Sequence, residues 1–408
     1  MKYVEDMEEI ERKRKERVKD CIRGSLIAGA AGDALGYPVE FMSRNAILLK
    51  YGESGITQFE LDNNGKALVS DDTQMTLFTA NGMLMGITRG CMRGIGGDPK
   101  DYVDGAYLDW YYTQTGKKES MLGDIDFHYT WLRDLPELAY RRAPGTTCLN
   151  ACEALLNREK PNNNSKGCGG IMRVAPMGLL AASMPKLYEN SFSLAEAGAH
   201  IARVTHLHPL GYLPAALMTL LISRIVPLTP SEVKETIIEI VNDGLDVMMQ
   251  LYDNEYISDK EYLKKLTLRA IELSQSNILD SDAIRQIGEG WVAEEAWAIS
   301  LYCVVRHIDN MRDAIIAAVN HDGDSDSTGS ITGNIMGAIY GYEAIKREHL
   351  FCPEGTTFED TLELNNIILA LADDLYSGCI ISEFDPIETP EKKQWYARYC
   401  KMKPVGLN

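Results

Sequence analysis

The chain predicts an all-α protein. Three observations carry that expectation. Apolar residues recur at three- and four-residue steps over many windows, alternating strand-like runs are rare and short, and 45% hydrophobic with 25% charged residues is the balance of a folded globular chain. A length of 408 residues sets a starting expectation of two or three domains.

The segment 1–20 is acidic from Glu5 to Glu11 and basic from Arg12 to Lys19. It fits a solvated helix laced with i,i+4 ion pairs, or an arm that docks onto a partner. Within 45–70, the runs 56–61 and 67–70 flank Asn63-Asn64-Gly65 and predict a small hairpin. Met75, Phe78, Thr79, Gly82 and Met85 then mark one buried helical face. Residues 157–166, with Pro161 followed by three asparagines, read as a loop. Helical periodicity returns at 195–204, 213–223, 233–252, 292–306, 311–319 and 365–376. There is no Pro/Ser linker and no internal repeat.

Charge and cysteine usage narrow the function classes. Lys plus Arg number 41 and Asp plus Glu 59, a formal charge of −18 that repels nucleic acid and anionic membrane. Nine cysteines without a C-x-x-C pair suit reduced thiols better than a disulfide framework. The charged N-terminus is no signal peptide, and the apolar stretch 213–222 is too short to span a bilayer. A soluble cytoplasmic protein is expected.

Chemistry concentrates in three acidic segments. Residues 322–328 pack three aspartates and three hydroxyls into seven positions, a density that folding does not require. An EF-hand register fails: counted from Asp322, Ser327 replaces the required Gly and Gly333 the bidentate Glu, while counting from Asp324 ends on Ile335. Gly329, Gly333, Gly337 and Gly341 then recur every fourth residue, a bare helix face that lets another backbone approach closely. Asp324 and Asp326 therefore stand at a helix N-terminus, where the dipole favours their ionised form. Ser70-Asp71-Asp72-Thr73 repeats the pattern before the helix that follows, and would also serve as a plain N-cap. The third segment, 32–40, carries Asp33 and Glu40 among Gly and Pro residues that interrupt a helix and could aim Glu40 inward.

Glu40, Asp71, Asp72, Asp324 and Asp326 would bring five negative charges into one pocket. Several would have to take up protons unless cations were present; two divalent ions would leave a single excess charge. Carboxylate and hydroxyl oxygens suit Mg²⁺ or Mn²⁺ rather than Zn²⁺, and a two-metal site fits hydrolytic chemistry.

In this order, the elements resemble the ADP-ribosylglycohydrolase family. The matching segments are GSLIAGAAGDALGYPVEF (24–41), VSDDTQMTLFTA (69–80), GCGGIMRVAPMGLL (167–180), THLHPLGYLPAAL (205–217), GEGWVAEEAWAISLYCV (288–304) and HDGDSDSTGSITGNIMGAIYG (321–341). The resemblance implies a compact single-domain all-α bundle over 21–408, with 1–20 as a charged helical extension and a dinuclear Mg²⁺ or Mn²⁺ site. Its implied metal ligands are Ser70, Asp71, Asp72, Asp324, Asp326 and Ser327; the two serines stand where relatives often have Thr, and the hydroxyl oxygen is kept. Glu40, Asp71 and Asp72 are the implied catalytic carboxylates.

Gly167, Gly169 and Gly170 match the loop that holds a diphosphate in relatives, with His206 nearby. By themselves these residues would also pass for a turn and a core or helix-end histidine. Trp291 is a candidate for packing on the adenine or its ribose, or else a core aromatic. The region 86–140 matches less clearly, and Asp124 or Asp126 there could supply a further carboxylate. RAPG (142–145), THLHPLGYL and GDSDST are most similar to the arginine-specific branch. The implied activity is hydrolytic release of ADP-ribose from a modified protein side chain, arginine first. Alternatives are another ADP-ribosyl linkage (serine, O-acetyl-ADP-ribose, a base) or an immunity protein that occludes an ADP-ribosylating toxin.

Overall fold

Helices form at every window of helical periodicity, and local chemistry sets their ends. The computed structural model describes residues 2–94, 97–117, 128–382 and 386–400; among them lie eighteen α-helices and no β-strand. The helix Asp71–Arg93 starts at Ser70, whose hydroxyl accepts the Asp72 N–H, and stops at Gly94 in the left-handed conformation. Pro230–Gln250 opens on a capping box between Thr229 and Glu232. Met311–Val319 opens on Asn310, whose side chain accepts the Asp313 N–H. One main hydrophobic core draws on residues from Val18 to Tyr399, and a smaller one gathers around Ala270, Ala283 and Ala298. No helix of the described residues is long and apolar enough to cross a membrane.

The hairpin expected within 45–70 does not form. Arg44–Tyr51 is a helix capped by Ser43. Asn63-Asn64-Gly65 does turn, around an Asp62 carboxylate that accepts the Asn64 and Lys66 N–H groups. The flanks, however, bond elsewhere: Phe59 N–H to Phe351 O and Ala67 N–H to Thr361 O, each at 2.9 Å. Burial explains the choice. Phe59 is buried against the Phe351 and Phe358 rings, whereas an isolated two-stranded hairpin would leave it wet.

Three helices build the site: α1 (Lys2–Gly36), α2 (Asp71–Arg93) and α3 (Ser325–Tyr340). Residues 2–20 and the first glycine-rich segment are thus one continuous helix, whose exposed part carries Arg12–Glu9, Arg12–Glu16 and Lys15–Glu11 ion pairs. α1 and α3 pack antiparallel, glycine to glycine. A Cβ at Gly333 would overlap the Ala28 carbonyl, one at Gly329 the Gly32 carbonyl, and one at Gly36 the Ser325 carbonyl. The last contact matters most, because it seats the end of α1 on the beginning of α3.

This packing makes a contrast between two glycines measurable. Gly333→Ala drives a methyl into rigid backbone and should cost about 2–3 kcal/mol. Gly244→Ala, in a helix interior where the nearest atoms lie 3.7 Å from the new Cβ, should stabilise by about 0.5–1 kcal/mol. Denaturant unfolding of the two variants reads both signs.

Candidate functional site

The site lies where α1 ends and α2 and α3 begin. Past Gly36 the chain makes a short turn over Tyr37–Val39, with Pro38 in its first turn, and delivers Glu40. Carboxylate oxygens of Glu40, Asp324 and Asp326 come within 4.8 Å of one another. Asp326 is 3% and Asp324 2% exposed, while Glu40 is half-buried.

Each aspartate is held by backbone. Asp324 donates its N–H to Glu289 O (2.9 Å) and accepts the Ser327 N–H, capping α3. Asp326 Oδ1 also accepts the Ser327 N–H, at 2.9 Å. Asp71 donates its N–H to Arg142 O and accepts the Gly145 N–H, so both ends of the RAPG segment grip it. Asp72 keeps Oδ2 buried without a partner, as Glu40 does its Oε2.

Electrostatics shows how much charge is crowded here. Burial first, then Asp324 and Asp71, push Glu40 up to about 8. Burial likewise pushes Asp71 up to about 8. Asp72 and Asp326 are driven well above the usual carboxylate range by burial and then by neighbouring carboxylates, Asp324 among them in both cases. Two helix N-termini favour anions at this spot, yet burial and crowding still push these carboxylates upward. Orphaned buried oxygens and mutual repulsion are what a hard cation would relieve, and the oxygen donors here suit such an ion. The Ser327 hydroxyl lies beside Asp72 and Asp324. Ser70 is fully buried and its hydroxyl already accepts the Asp72 N–H.

Asp33 is a residue whose role the sequence did not reveal. Fully buried, it accepts the Ser70 N–H (3.0 Å), the Thr73 N–H (3.1 Å) and the Thr73 hydroxyl, tying α1 to the first turn of α2. The signal was its place seven residues before Glu40 in the same Gly-flanked acidic segment.

The glycine loop forms a second wall. Gly167 and Gly169 are glycines because the His206 ring presses on them: a Cβ at Gly169 would lie 2.9 Å from its Cε1, and one at Gly167 3.2 Å from its Nε2. A Cβ at Gly170 would meet the Gly211 carbonyl at 2.8 Å. His206 is 2% exposed, and burial followed by the Arg173 charge lowers it to about 3, so it is neutral. Its tautomer follows from its neighbours. Fully buried Arg173 donates to the Thr205 hydroxyl (2.6 Å), which turns its own proton toward His206 Nδ1 (2.8 Å). The remaining proton sits on Nε2, facing the loop. His208 Nδ1 accepts the Leu210 N–H and caps the next helix.

Trp291 is not a core aromatic. It is 37% exposed and stacks on Phe41, which is 77% exposed, with ring centroids 5.8 Å apart. Its carbonyl accepts the Cys168 N–H, so the pair stands at the rim, joining the Glu40 segment to the glycine loop. Asp124 and Asp126 lie outside the described residues.

The ADP-ribosylglycohydrolase family model matches residues 14–380. The chain belongs to the ADP-ribosylglycohydrolase family. It is therefore a hydrolase of a family that acts on ADP-ribosylated substrates and releases ADP-ribose. An uncharacterized protein of Archaeoglobus fulgidus is 25% identical over 79% of this chain and 87% of its own length. Human ADP-ribosylhydrolase ARH3 is 23% identical over 52% of this chain, a match that spans 60% of the human protein. The solved structure of an ADP-ribosylglycohydrolase-related protein complex covers 89% of this chain and 99% of its own, with TM-score 0.58 and 22% identity. That likeness shows that this chain has the family's all-α fold.

Proposed function

We propose that this ADP-ribosylglycohydrolase releases ADP-ribose from modified arginine side chains, reversing mono-ADP-ribosylation, with two Mg²⁺ or Mn²⁺ ions held by Asp71, Asp72, Asp324, Asp326, Ser70 and Ser327. The observation that carries the reading is the meeting of Glu40 with Asp324 and Asp326 within 4.8 Å, with Asp72 near enough to feel the Asp324 charge and with Glu40 Oε2 and Asp72 Oδ2 buried without a partner. When bound, such ions supply Lewis acidity and neutralise the cluster.

The chain's own residues do the rest. Glu40, at the half-buried edge, orients the attacking water or accepts its proton, with Asp71 and Asp72 behind it. The glycine loop, with the His206 ring packed on it, is the side that suits a diphosphate, through the N–H groups of Gly169 and Gly170 rather than those of Gly167 and Cys168, which bond within the protein. Preorganised donors of this kind are the main source of rate, since they need not reorganise as charge develops. The arginine assignment rests on RAPG, which resembles the arginine-specific branch and holds Asp71 directly. The departing guanidine leaves neutral once protonated.

A linkage panel tests this. Purified protein with Mg²⁺ or Mn²⁺ should release ADP-ribose from ADP-ribosyl-arginine faster than from the serine-linked or O-acetyl forms. Cleavage of only another linkage would move the leaving group and keep the ribose end of the site; metal-dependent release from none would end the reading.

A further inference from the structure

One side chain that touches the cluster is chemically unlike its members Glu40, Asp324 and Asp326. Cys168 opens the short turn Cys168–Gly170, and its Sγ lies 2.8 Å from Asp324 Oδ2. Asp72 and the Ser327 hydroxyl are its next polar neighbours. The backbone leaves the thiol little choice of direction. Cys168 N–H is bonded to Trp291 O (3.2 Å), Gly167 is bridged to Val292, and Gly169 and Gly170 are packed on His206 and on Gly211. The thiol therefore belongs to the same wall as Asp72, which is 3% exposed and whose Oδ2 has no partner.

Ligand chemistry makes this consequential. Carboxylates and hydroxyls select hard cations, whereas a thiolate among them favours Zn²⁺, Cd²⁺ or Co²⁺. We propose that Cys168 is a soft ligand position of this centre, through which a thiophilic divalent cation binds together with Asp324. The inference rests on the reading that the acidic cluster holds cations. Binding expels the thiol proton to solvent and forms a metal–sulfur bond; no electron is transferred. A thiophilic ion so held competes with Mg²⁺ or Mn²⁺ and occupies the centre in a mode the all-oxygen set cannot offer, so the centre senses zinc-like metals.

Cobalt makes the bond visible. Metal-free full-length protein titrated with Co²⁺ should develop a near-ultraviolet sulfur-to-cobalt charge-transfer band that saturates with binding. The band should be absent from Cys168→Ser and Cys168→Ala, which keep the other eight cysteines. Zn²⁺ affinity, measured by competition against Mn²⁺, should fall at least about tenfold in both variants. In wild-type protein, Cd²⁺ but not Mg²⁺ should protect the Cys168 peptide from iodoacetamide, read by mass spectrometry, which serves if neither variant folds. Co²⁺ binding without the band, a band that persists in the variants, or equal labelling with and without Cd²⁺ overturns the proposal. Failure of the centre to bind Mn²⁺ at all would instead sink the reading beneath it.

Discussion

Asp324→Asn should lower kcat/KM for ADP-ribose release by at least about 10³-fold while leaving the helices intact. The two effects separate because Asp324 has two jobs. Its Oδ1 caps α3 through the Ser327 N–H, and Asn caps a helix about as well as Asp. Burial is what chiefly raises Glu40 and Asp72; the Asp324 charge adds to it in both, and that addition is lost. The metal-free variant should therefore be at least as stable as wild type, since one repelling carboxylate is gone from a buried cluster. Divalent cations, which should raise the melting temperature of the wild type, should no longer do so in the variant. Activity within about tenfold of wild type would remove Asp324 from the centre. Asp33→Asn provides the contrast. Asp33 hydrogen-bonds the α2 backbone and reaches the cluster only through its charge, so its loss should show first as lower stability.

Features that depend on local pattern were legible in the sequence; those that depend on which segment meets which were not. Helix positions followed from three- and four-residue periodicity, and the need for a close backbone partner followed from Gly329, Gly333 and Gly337. That the partner would be Gly24 to Gly36 of α1 is a long-range fact, visible only once both glycine rows are laid antiparallel. The hairpin failed for the same reason. Its turn is real, but Phe59 finds more apolar surface on Phe351 and Phe358 than across the turn. The three acidic segments stood out by composition, while their convergence came only from the resemblance and the charge argument. His206 would pass for a core or helix-end histidine in the sequence, and burial, with the Arg173 charge behind it, explains its neutrality. Cys168 gave no signal at all, because a thiol between glycines carries no periodicity and no charge.

Removing divalent cations should make stability fall as pH rises from about 6.5 to 8, the reverse of the usual trend for a carboxylate-rich protein. Asp71 has an ordinary value of 3.8 and is lifted to about 8 in the folded state, and Glu40 is lifted from 4.5 to about 8. Both values are raised, so their contribution is complete below the unfolded values and is lost as pH climbs toward the folded ones. In that interval the folded chain holds protons that the unfolded chain has released. For Asp71 the slope approaches about 1.4 kcal/mol per pH unit. Two other groups oppose this at lower pH. His206 and His321 are depressed from 6.5 to about 3 and about 4, mainly by burial, so they favour the folded state as pH rises up to about 6.5 and then stop contributing. Above that point the carboxylates act without that opposition. Mg²⁺ or Mn²⁺ supplies the missing counter-charge, lets the cluster ionise in place and flattens the slope. The melting-temperature gap between metal-loaded and chelator-treated protein should therefore widen by several degrees between pH 6.5 and 8, and should narrow in Asp324→Asn. A gap that stays constant over that interval would mean that these carboxylates are already ionised without cations, and the cluster would then be an ordinary acidic surface rather than a metal centre.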